Sequence, residues 1–381
     1  MLIETYSFPA SAAQPNALRT AIPDSPHTLI LLFGPSDALD APERVSTLLS
    51  SYPHALALGC STAGEILGQR ISDRTYSVGI IHFERSQLRI TSACVTDASA
   101  SYRAGEQIAA NLAAPDLRLV LVLSDGLVVN GSALVAGLNA GLPPSVVVSG
   151  GLAADGDRFQ RTWVLKDRRP VQQHVTAVGI YGAALRVGHG SKGGWDNFGP
   201  ERRVTKSRDN VLYELDDKPA LQLYKEYLGE RAAGLPATGL LFPLALRESS
   251  GHTKQVVRTI LAVDESAQSL TFAGNIPEGH LAQLMRANFD RLITGAADAA
   301  LAAKTSHATP VGPILTLAIS CVGRRLILGE RAEEEIEATQ SALPADTSQI
   351  GFYSYGEISP FTTGQCHLHN QTMTLTTIGE A

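Results

Sequence analysis

The chain has 381 residues, of which 44% are hydrophobic and 18% charged, and its formal net charge is −6 at pH 7. This length exceeds one ordinary core, so we expect two domains, and the composition is typical of a globular protein rather than a disordered one. The acidic balance, with no run of more than two basic residues, disfavours nucleic acid and anionic membrane surfaces as partners.

The amino-terminal stretch 1–18 lacks the basic and long apolar regions of a secretory signal, and no apolar run reaches the ~18 residues that span a bilayer. The four cysteines are scattered and form no C-x-x-C pair: Cys60, Cys94, Cys321 and Cys366. Scattered thiols are typical of a reducing compartment, so we expect a cytoplasmic protein.

Two stretches of similar order follow each other in the amino-terminal half. The first predicts a strand at 27–34, a helix at 43–52, a strand at 54–59, a small-residue turn at 60–64, and strands at 75–83 and 88–95. The second predicts a strand at 117–126, a helix at 131–142, a strand and turn at 145–155, and strands at 162–165 and 175–181. We interpret them as an internal duplication, about 27–100 and 117–188, in which Gly59 overlays Ser149.

The carboxy-terminal half begins after a glycine-rich stretch, 188–200, which predicts a connecting loop that contains His189. The predicted elements are then a helix from Pro219 to Gly229, strands at 239–246, 256–263 and 269–274, a helix at 278–295, a strand at 314–320, a helix at 330–343, and strands at 349–359 and 366–378. We therefore expect an α/β fold of two domains, 1–205 and 206–381, built from repeated strand–helix–strand–turn–strand units whose mixed sheets are covered by helices.

The pattern Gly-x-x-x-x-Gly-Glu-Ile occurs twice, at 59–66 and at 351–358. In both places it follows a predicted strand, so we interpret the two turns as equivalent corners of related units. Glycine permits a close backbone approach, and the glutamate could accept backbone N–H bonds across the turn. Each corner could be structural only or could also line a ligand site. The candidate ligand contacts there are Cys60, Ser61, Thr62, Gly64, Glu65, Tyr353, Tyr355 and Glu357.

These motifs resemble those of the FIST family. The segment 59–66 is similar to the FIST N domain, and the segments 320–329, 351–360 and 368–375 are similar to the FIST C domain. The resemblance implies a bacterial cytosolic sensory protein that binds a small ligand such as a free amino acid. One branch, the NosP-type nitric-oxide-sensing proteins, binds haem and acts on histidine kinases or cyclic-di-GMP enzymes, and the linker 190–200 is similar to that branch.

The two predicted domains account for all of the residues, and no kinase, cyclase, helix-turn-helix or coiled-coil segment is left over. We therefore expect the signal to pass to a partner protein, which the resemblance implies is a histidine kinase or a cyclic-di-GMP enzyme. We expect no catalytic activity of the chain itself.

His369 and His189 are the candidate haem ligands. One proximal imidazole suffices for a five-coordinate haem and leaves the other face open to nitric oxide. Arg324 and Arg325 follow a predicted buried strand, where a guanidinium could clamp the carboxylate of an amino acid or a haem propionate, or form an internal pair with Glu357 or Glu65. We take Arg324 as the candidate ligand contact. Asn370 lies next to His369 in the segment that is similar to the FIST C domain. We expect Arg324, His369 and Asn370 to border one cleft together with the two Gly-Glu-Ile corners. Binding there would change domain closure.

A hydrolase is the remaining alternative, with Ser61 or Cys60 as the nucleophile. The segment reads Gly-x-Ser-x-x-Gly, which departs by one residue from the nucleophile elbow of α/β-hydrolases. No Ser-His-Asp ordering stands out in the sequence, so this pattern favours an enzyme less than it favours a binding protein.

Overall fold

A computed structural model describes residues 1–11, 21–249, 255–305, 312–361 and 364–381. Only part of the stretch 1–18 analysed for a secretory signal therefore lies within the described residues. Within these ranges the chain folds as a mixed α/β protein with three six-stranded sheets and one nine-stranded sheet. None of the helices in the described ranges is both long enough and apolar enough to cross a bilayer.

The first unit follows the predicted order of strand, helix, strand, turn and strand. Its elements are β1 (Leu2–Pro9), β2 (Thr28–Gly34), α1 (Pro42–Leu49), β3 (Leu56–Ser61), β4 (Glu65–Leu67), β5 (Arg70–Ser72) and β6 (Thr75–His82). β2 is buried throughout and pairs in parallel with β3, as a continuous apolar run predicts. Pro42 occupies the first position of α1, where its missing N–H costs nothing.

The second unit repeats this order with one more helix. Its elements are β7 (Gln87–Cys94), α2 (Ser101–Leu112), β8 (Leu117–Ser124), α3 (Gly131–Gly141), β9 (Val147–Leu152), β10 (Val164–Lys166), β11 (Arg169–Val171) and β12 (His174–Tyr181). Helix α2 is not among the elements predicted from the sequence. The side chain of Asn130 begins α3, because it accepts hydrogen bonds from the N–H groups of Ser132 and Ala133.

The third unit starts at β13 (Leu185–Lys192) and is then interrupted by a nine-stranded sheet, here called the inserted sheet. The elements of the insertion are β14 (Trp195–Asn197), β15 (Arg202–Arg208), β16 (Val211–Leu215), β17 (Lys218–Pro219), α4 (Ala220–Leu228), β18 (Leu244–Arg247), β19 (Val256–Arg258), β20 (Ile260–Asp264), β21 (Ser269–Phe272) and β22 (Leu281–Ala287).

The third unit resumes after the inserted sheet. Its remaining elements are α5 (Phe289–Thr305), β23 (Ile314–Cys321), α6 (Val322–Leu328), α7 (Ala332–Ala342), β24 (Thr347–Ser354), β25 (Gly356–Pro360), β26 (Cys366–His369) and β27 (Met373–Glu380). Short 3-10 turns lie at 36–39, 98–100, 229–234, 237–241 and 329–331. The pairing of β13 with β27 crosses the predicted division at residue 205.

Three predictions about these elements were wrong. The predicted helix at 278–295 begins as strand β22, because this segment pairs with β14, β15 and β18 and this pairing overrides the apolar spacing. His189 lies on β13 rather than in a loop. The predicted strand at 239–246 is a 3-10 turn as far as Leu241, and β18 starts only at Leu244.

The overlay of the first two units was also displaced by one residue. Gly59 lies opposite Leu32 across the parallel pair of the first unit, and Gly150 lies opposite Val122 in the second. Gly150, and not Ser149, is therefore the equivalent of Gly59, and Gly351 takes this place in the third unit. At each position an added Cβ would lie within about 2.2 Å of a carbonyl oxygen of the neighbouring strand, so only glycine fits.

Each unit gives a hairpin to the sheet of another unit. The β4–β5 hairpin pairs with β24 of the third unit, the β10–β11 hairpin with β3 of the first, and the β25–β26 hairpin with β9 of the second. Each six-stranded sheet therefore contains four strands of one unit and two of another, and the exchanges close a cycle. The inner faces of the sheets share a buried core, in which the rings of Phe33 and Phe352 lie 4.7 Å apart.

Candidate ligand site

Three backbone hydrogen bonds join the units at the turns that lead into the exchanged hairpins. From N–H to carbonyl oxygen they connect Ala63 to Tyr353 (2.8 Å), Ala154 to Ser61 (3.0 Å) and Tyr355 to Leu152 (3.2 Å). The three donors are equivalent positions of the units, and so are the three acceptors. The two Gly-Glu-Ile corners therefore meet, with the corresponding turn of the second unit, around one approximate threefold axis.

Glu65 lies directly after this ring of hydrogen bonds and is 2% exposed. Its Oε1 accepts a hydrogen bond from Thr62 Oγ1 at 2.6 Å. Its Oε2 accepts hydrogen bonds from the N–H of Thr75 at 3.2 Å and from Oγ1 of Thr75 at 3.0 Å. Burial raises the pKa of the Glu65 carboxyl to about 7, although these hydrogen bonds oppose the shift.

Glu357 has the same set of donors in the third unit. Its Oε1 accepts a hydrogen bond from Ser354 Oγ at 2.7 Å, and its Oε2 accepts hydrogen bonds from the N–H (3.2 Å) and Oγ1 (2.9 Å) of Thr372. The side chain is fully buried, and burial raises the pKa of its carboxyl to about 8. The second unit has Gly156 at the equivalent position, so this arrangement occurs in two of the three units.

A cavity of about 200 Å³ lies against the first corner and is called the Glu65 cavity below. Its wall carries charges of both signs. The charged residues that line it are Asp37, Glu65, Asp73, Arg74, Arg158 and Arg325, and Thr62, Gly64 and Gly156 complete the same wall. Of the predicted contacts, Thr62, Gly64 and Glu65 are therefore brought together here.

Arg325, from helix α6, crosses the first corner. Its guanidinium donates hydrogen bonds to both carboxylate oxygens of Asp73, each at 2.7 Å, and to the carbonyl of Ala63. This crossing requires Gly64, because a Cβ at that position would lie 2.2 Å from Arg325 Nη1 and the backbone φ is +132°. The guanidinium also lies 5.5 Å from the centre of the Tyr353 ring.

Arg324, the arginine selected from the sequence, faces the interior and is 0% exposed. Its Nε and Nη2 donate to Glu335 at 3.0 and 2.7 Å, so the internal pair forms with Glu335 rather than with Glu357 or Glu65. Its other bonds go to the carbonyls of Gly193 and Leu292, at 2.8 Å each, and of Gln371 at 3.5 Å. Gly193 precedes β14 and Leu292 lies on α5, so Arg324 joins the two segments that flank the inserted sheet, and it does not line the Glu65 cavity.

The hydroxyl groups of Tyr353 and Tyr355 form hydrogen bonds inside the protein. The hydroxyl of Tyr353 donates to Glu335 Oε1 at 2.8 Å. The hydroxyl of Tyr355 donates to Asp155 and to the carbonyl of Gly156, and its ring stacks on Phe159 with the ring centres 4.6 Å apart. Both rings are buried. Tyr355 joins the third unit to the second, whereas the hydroxyl of Tyr353 binds within the third unit.

His369 and Asn370 lie on the wall of a second cavity, about 450 Å³ in volume, between the inserted sheet and the third unit. It is called the His369 cavity below. Thr372, which binds Glu357, lines the same cavity. The residues predicted to share one cleft are thus divided, because Glu65 and His369 line different cavities.

The imidazoles of both candidate haem ligands are buried, with 5% of His369 and 9% of His189 exposed. Nε2 of His369 lies 2.9 Å from the carbonyl oxygen of Ser359, and the His369 ring packs edge-on against Phe361. His189 is buried on β13, away from the wall of either cavity, and burial lowers the pKa of its imidazole. Nε2 of His369 would have to leave the Ser359 carbonyl to bind a haem iron, whereas Nδ1 of His189 has no hydrogen-bond partner among the described residues. No cluster of three metal-binding side chains occurs in the described ranges.

The candidate nucleophiles are enclosed. Ser61 is fully buried, and its Oγ accepts a hydrogen bond from the N–H of Trp163 at 3.0 Å. Cys60 is fully buried, and burial together with the nearby Glu65 charge raises the pKa of its thiol well above the ordinary value. Neither atom has the accessible, base-activated setting that a covalent nucleophile needs.

Several residues that line the cavities were not among the predicted contacts, above all Asp73, Arg158 and Lys192, and of the pair Arg324 and Arg325 the prediction selected the arginine that does not line a cavity. For Arg325 a signal was present. Adjacent side chains on a helix point about 100° apart, so the Arg-Arg pair at the start of α6 can place only one guanidinium in the core. Three other wall residues reach the cavities only through the hairpin exchange and the insertion, which no local sequence pattern predicts: Asp73, Arg158 and Lys192.

Comparisons with known proteins place the chain in a family. Residues 28–218 match the FIST N domain and residues 220–360 match the FIST C domain. A protein of Methanocaldococcus jannaschii is 27% identical over 173 residues, which cover 40% of this chain and only 32% of the relative. A solved cyanuric acid hydrolase from A. caulinodans aligns over 100% of this chain and 99% of its own, with 9% identity and a TM-score of 0.41. The chain therefore belongs to the FIST family, whose domains are sensory, ligand-binding signalling domains.

Proposed function

We propose that this protein senses a free amino acid, which binds in the Glu65 cavity. The observation that carries the proposal is the combination of arginine and carboxylate side chains around one small space. An amino acid has a carboxylate and an ammonium group on the same carbon, so it needs partners of both signs close together. The proposal includes that the chain acts without catalysis in the cytoplasm.

The size of the cavity supports a small ligand. Its volume of about 200 Å³ lies below the range of about 300–1,000 Å³ that is common for drug-sized ligands. A molecule with the dimensions of an amino acid is compatible with this space, whereas a haem macrocycle is too large for it. The NosP-type prediction of haem and nitric oxide would therefore need another place in the molecule.

The charges of the wall suggest how the ligand is oriented. Arg325 and Arg158 could receive the ligand carboxylate, because a guanidinium binds a carboxylate through two parallel hydrogen bonds. The side chain of Asp73, which now takes this place on Arg325, is 66% exposed, so a ligand carboxylate could replace it at little cost. The buried Glu65 carboxylate and Asp37 would then face the ammonium group.

Ligand binding in the Glu65 cavity could change the hydrogen bonds between the units around the approximate threefold axis. Arg325 donates to the carbonyl of Ala63, and the N–H of Ala63 donates to Tyr353 in the ring that joins the first unit to the third. A ligand that draws Arg325 away from this carbonyl would favour a different packing of the two units. We propose that a histidine kinase or a cyclic-di-GMP enzyme reads this change.

The test is a thermal unfolding series with each of the twenty amino acids. A ligand at a hundred times its Kd stabilises the native state by about 2.7 kcal/mol, so one amino acid, or one chemical group of them, should raise Tm by several degrees. The shift should disappear in Arg325→Gln and persist in Arg103→Gln, whose side chain lies exposed on α2.

Two outcomes would contradict the proposal. One is the absence of a shift with any of the twenty compounds, and the other is an unchanged shift in Arg325→Gln. Titration with haem in parallel separates the two ligand classes. A stoichiometric haem spectrum that is lost in His369→Ala would replace the amino-acid proposal with the haem one.

A further inference from the structure

The His369 cavity differs in chemistry from the Glu65 cavity. Its volume of about 450 Å³ lies within the range of small-molecule sites. One wall comes from the insertion, with Trp195, Val257 and Met285, and the opposite wall comes from the third unit, with Lys192 and His369. A ligand there would contact both parts of the molecule.

The described residues give this cavity charge of one sign. Among the described residues that line it there is no aspartate or glutamate, whereas Lys192 contributes an ammonium group. Within the part of the chain that the structure describes, no carboxylate forms an ion pair with Lys192. An anionic ligand group would therefore meet a cation here without displacing an internal partner, unlike at Arg325.

The wall from the insertion is apolar and held in place. The indole N–H of Trp195 donates to the carbonyl of Gln371 at 3.0 Å, which fixes the plane of the ring. Trp195 is 6% exposed and packs in a cluster with Met285 and Leu292. Gly194 lets the chain approach α5, because a Cβ there would lie 2.3 Å from the carbonyl of Arg291. A flat apolar ligand surface could lie against this wall without rearranging it.

A polar group with an unmet hydrogen bond lies in the opposite wall. The side-chain amide of Asn370 is fully buried and donates to the carbonyl of Tyr355 at 3.2 Å. Its Oδ1 receives no hydrogen bond from a described residue. Buried acceptors are almost always paired, so this oxygen needs a hydrogen-bond donor that none of the described residues supplies.

We propose that the His369 cavity is a second ligand site, which binds a small aromatic carboxylate. The carboxylate pairs with Lys192, the ring lies against Trp195, and a hydroxyl on the ring donates to Asn370. This site is separate from the Glu65 cavity, and its ligand needs no ammonium group. It lies between the inserted sheet and the third unit, so a bound ligand contacts both and stabilises their relative position.

The test uses 6-hydroxy-2-naphthoate as the probe in isothermal titration calorimetry on the full chain. We expect binding of one molecule per chain. Lys192→Gln should weaken it at least about tenfold, which corresponds to about 1.4 kcal/mol. Lys192→Arg should restore most of the affinity. Lys206→Gln, which removes an exposed lysine of β15, is the matched control and should bind as the wild type does.

The neutral analogue 6-hydroxy-2-naphthamide should bind at least about tenfold more weakly, because it lacks the charge. Arg325→Gln, which disrupts only the Glu65 cavity, should leave naphthoate binding unchanged, so this proposal and the amino-acid proposal can fail independently. Absence of binding up to millimolar naphthoate would overturn the proposal. Equal affinity of Lys192→Gln in a variant with native circular dichroism, or equal binding of the amide, would do the same.

Discussion

Glu65 and Glu357 lie far apart in the sequence, yet each carboxylate accepts hydrogen bonds from equivalent donors. In both, one oxygen is bonded to a hydroxyl three residues earlier and the other to the N–H and Oγ1 of one threonine. Neither carboxylate has a direct ion pair with a described arginine or lysine. Burial without a cation favours the neutral acid, which explains why the pKa of both groups is raised.

This pair predicts a fall in stability as the pH rises. The folded-state pKa values, about 7 for Glu65 and about 8 for Glu357, lie above the ordinary value, so the folded state binds more protons than the unfolded state. The free energy of unfolding contributed by these groups should therefore decline from about pH 4.5 to about pH 8, by at most about 1.4 kcal/mol per pH unit for each carboxyl. Urea unfolding at several pH values measures this slope.

The variants Glu65→Gln and Glu357→Gln isolate the contribution of each carboxyl. Each amide can keep its oxygen toward the threonine and direct its NH₂ to the hydroxyl three residues earlier, so any change in stability from this replacement is the same at every pH. The informative quantity is therefore the slope of stability with pH, which should become flatter in each variant. Glu106→Gln, at an exposed position of α2, should keep the wild-type slope. An unchanged slope in both buried variants would show that these carboxyls are not protonated near neutral pH.

Gly64→Ala should disturb the crossing of Arg325 over the first corner. The new Cβ would occupy the place of the guanidinium, and the backbone φ of +132° is strained for alanine. We expect a loss of about 1–3 kcal/mol in the free energy of unfolding and a loss of the amino-acid-dependent Tm shift. Urea unfolding and thermal scans with the ligand measure both effects.

Gly68→Ala is the matched control for this change. Gly68 also has a positive φ, +59°, but no atom lies within 4 Å of an added Cβ. This variant should lose about 1 kcal/mol through backbone strain alone and keep the ligand response. If Gly64→Ala behaved in the same way as Gly68→Ala, the contact with Arg325 would have no importance for binding.

Arg324→Gln and Arg325→Gln should have opposite consequences. Removing Arg324 leaves Glu335 buried without its cation and frees the two segments that flank the inserted sheet, so we expect a loss of about 3–5 kcal/mol in stability. Removing Arg325 breaks a pair with the exposed Asp73, which should cost about 1 kcal/mol or less, but it should abolish the amino-acid response. Chemical denaturation and ligand titration of both variants measure this contrast. A large stability loss in Arg325→Gln alone would reverse the assignment.

The two Gly-Glu-Ile corners could be predicted from the sequence because the glycines and the glutamate of each corner determine its backbone geometry. Gly59 and Gly351 allow the backbone of a parallel neighbour to approach, and Glu65 and Glu357 accept bonds from a hydroxyl three residues earlier and from the threonine that follows their own hairpin. The strand–helix–strand order of the units follows from their apolar periodicity in the same way. These features were visible because each depends on residues close in sequence.

The relations between units could not be predicted in this way. β13 is separated from its partner β27 by the whole inserted sheet, and each hairpin pairs with a strand of another unit. The second unit lacks the glutamate, so the Gly-Glu-Ile motif does not mark its equivalent corner. Matching residues of the first two units placed Gly59 on Ser149, whereas the strand pairing aligns Gly59 with Gly150, one residue further on. Such a shift exchanges the faces of a strand, which only the pairing itself can decide.

The hairpin exchange predicts that neither half of the chain folds alone. A fragment of residues 1–218 lacks β24 and β27, the partners of the β4–β5 hairpin and of β13, and leaves β9 without β25. Three sets of unpaired edges then expose buried apolar faces. We expect each of the fragments 1–218 and 219–381 to give no near-ultraviolet dichroism and to elute as aggregate. Refolding the two together should restore a one-to-one complex with the spectrum of the intact chain, because all pairings are then available. Cooperative unfolding of the isolated fragment 1–218 would show that the exchanged hairpins are not required for its stability.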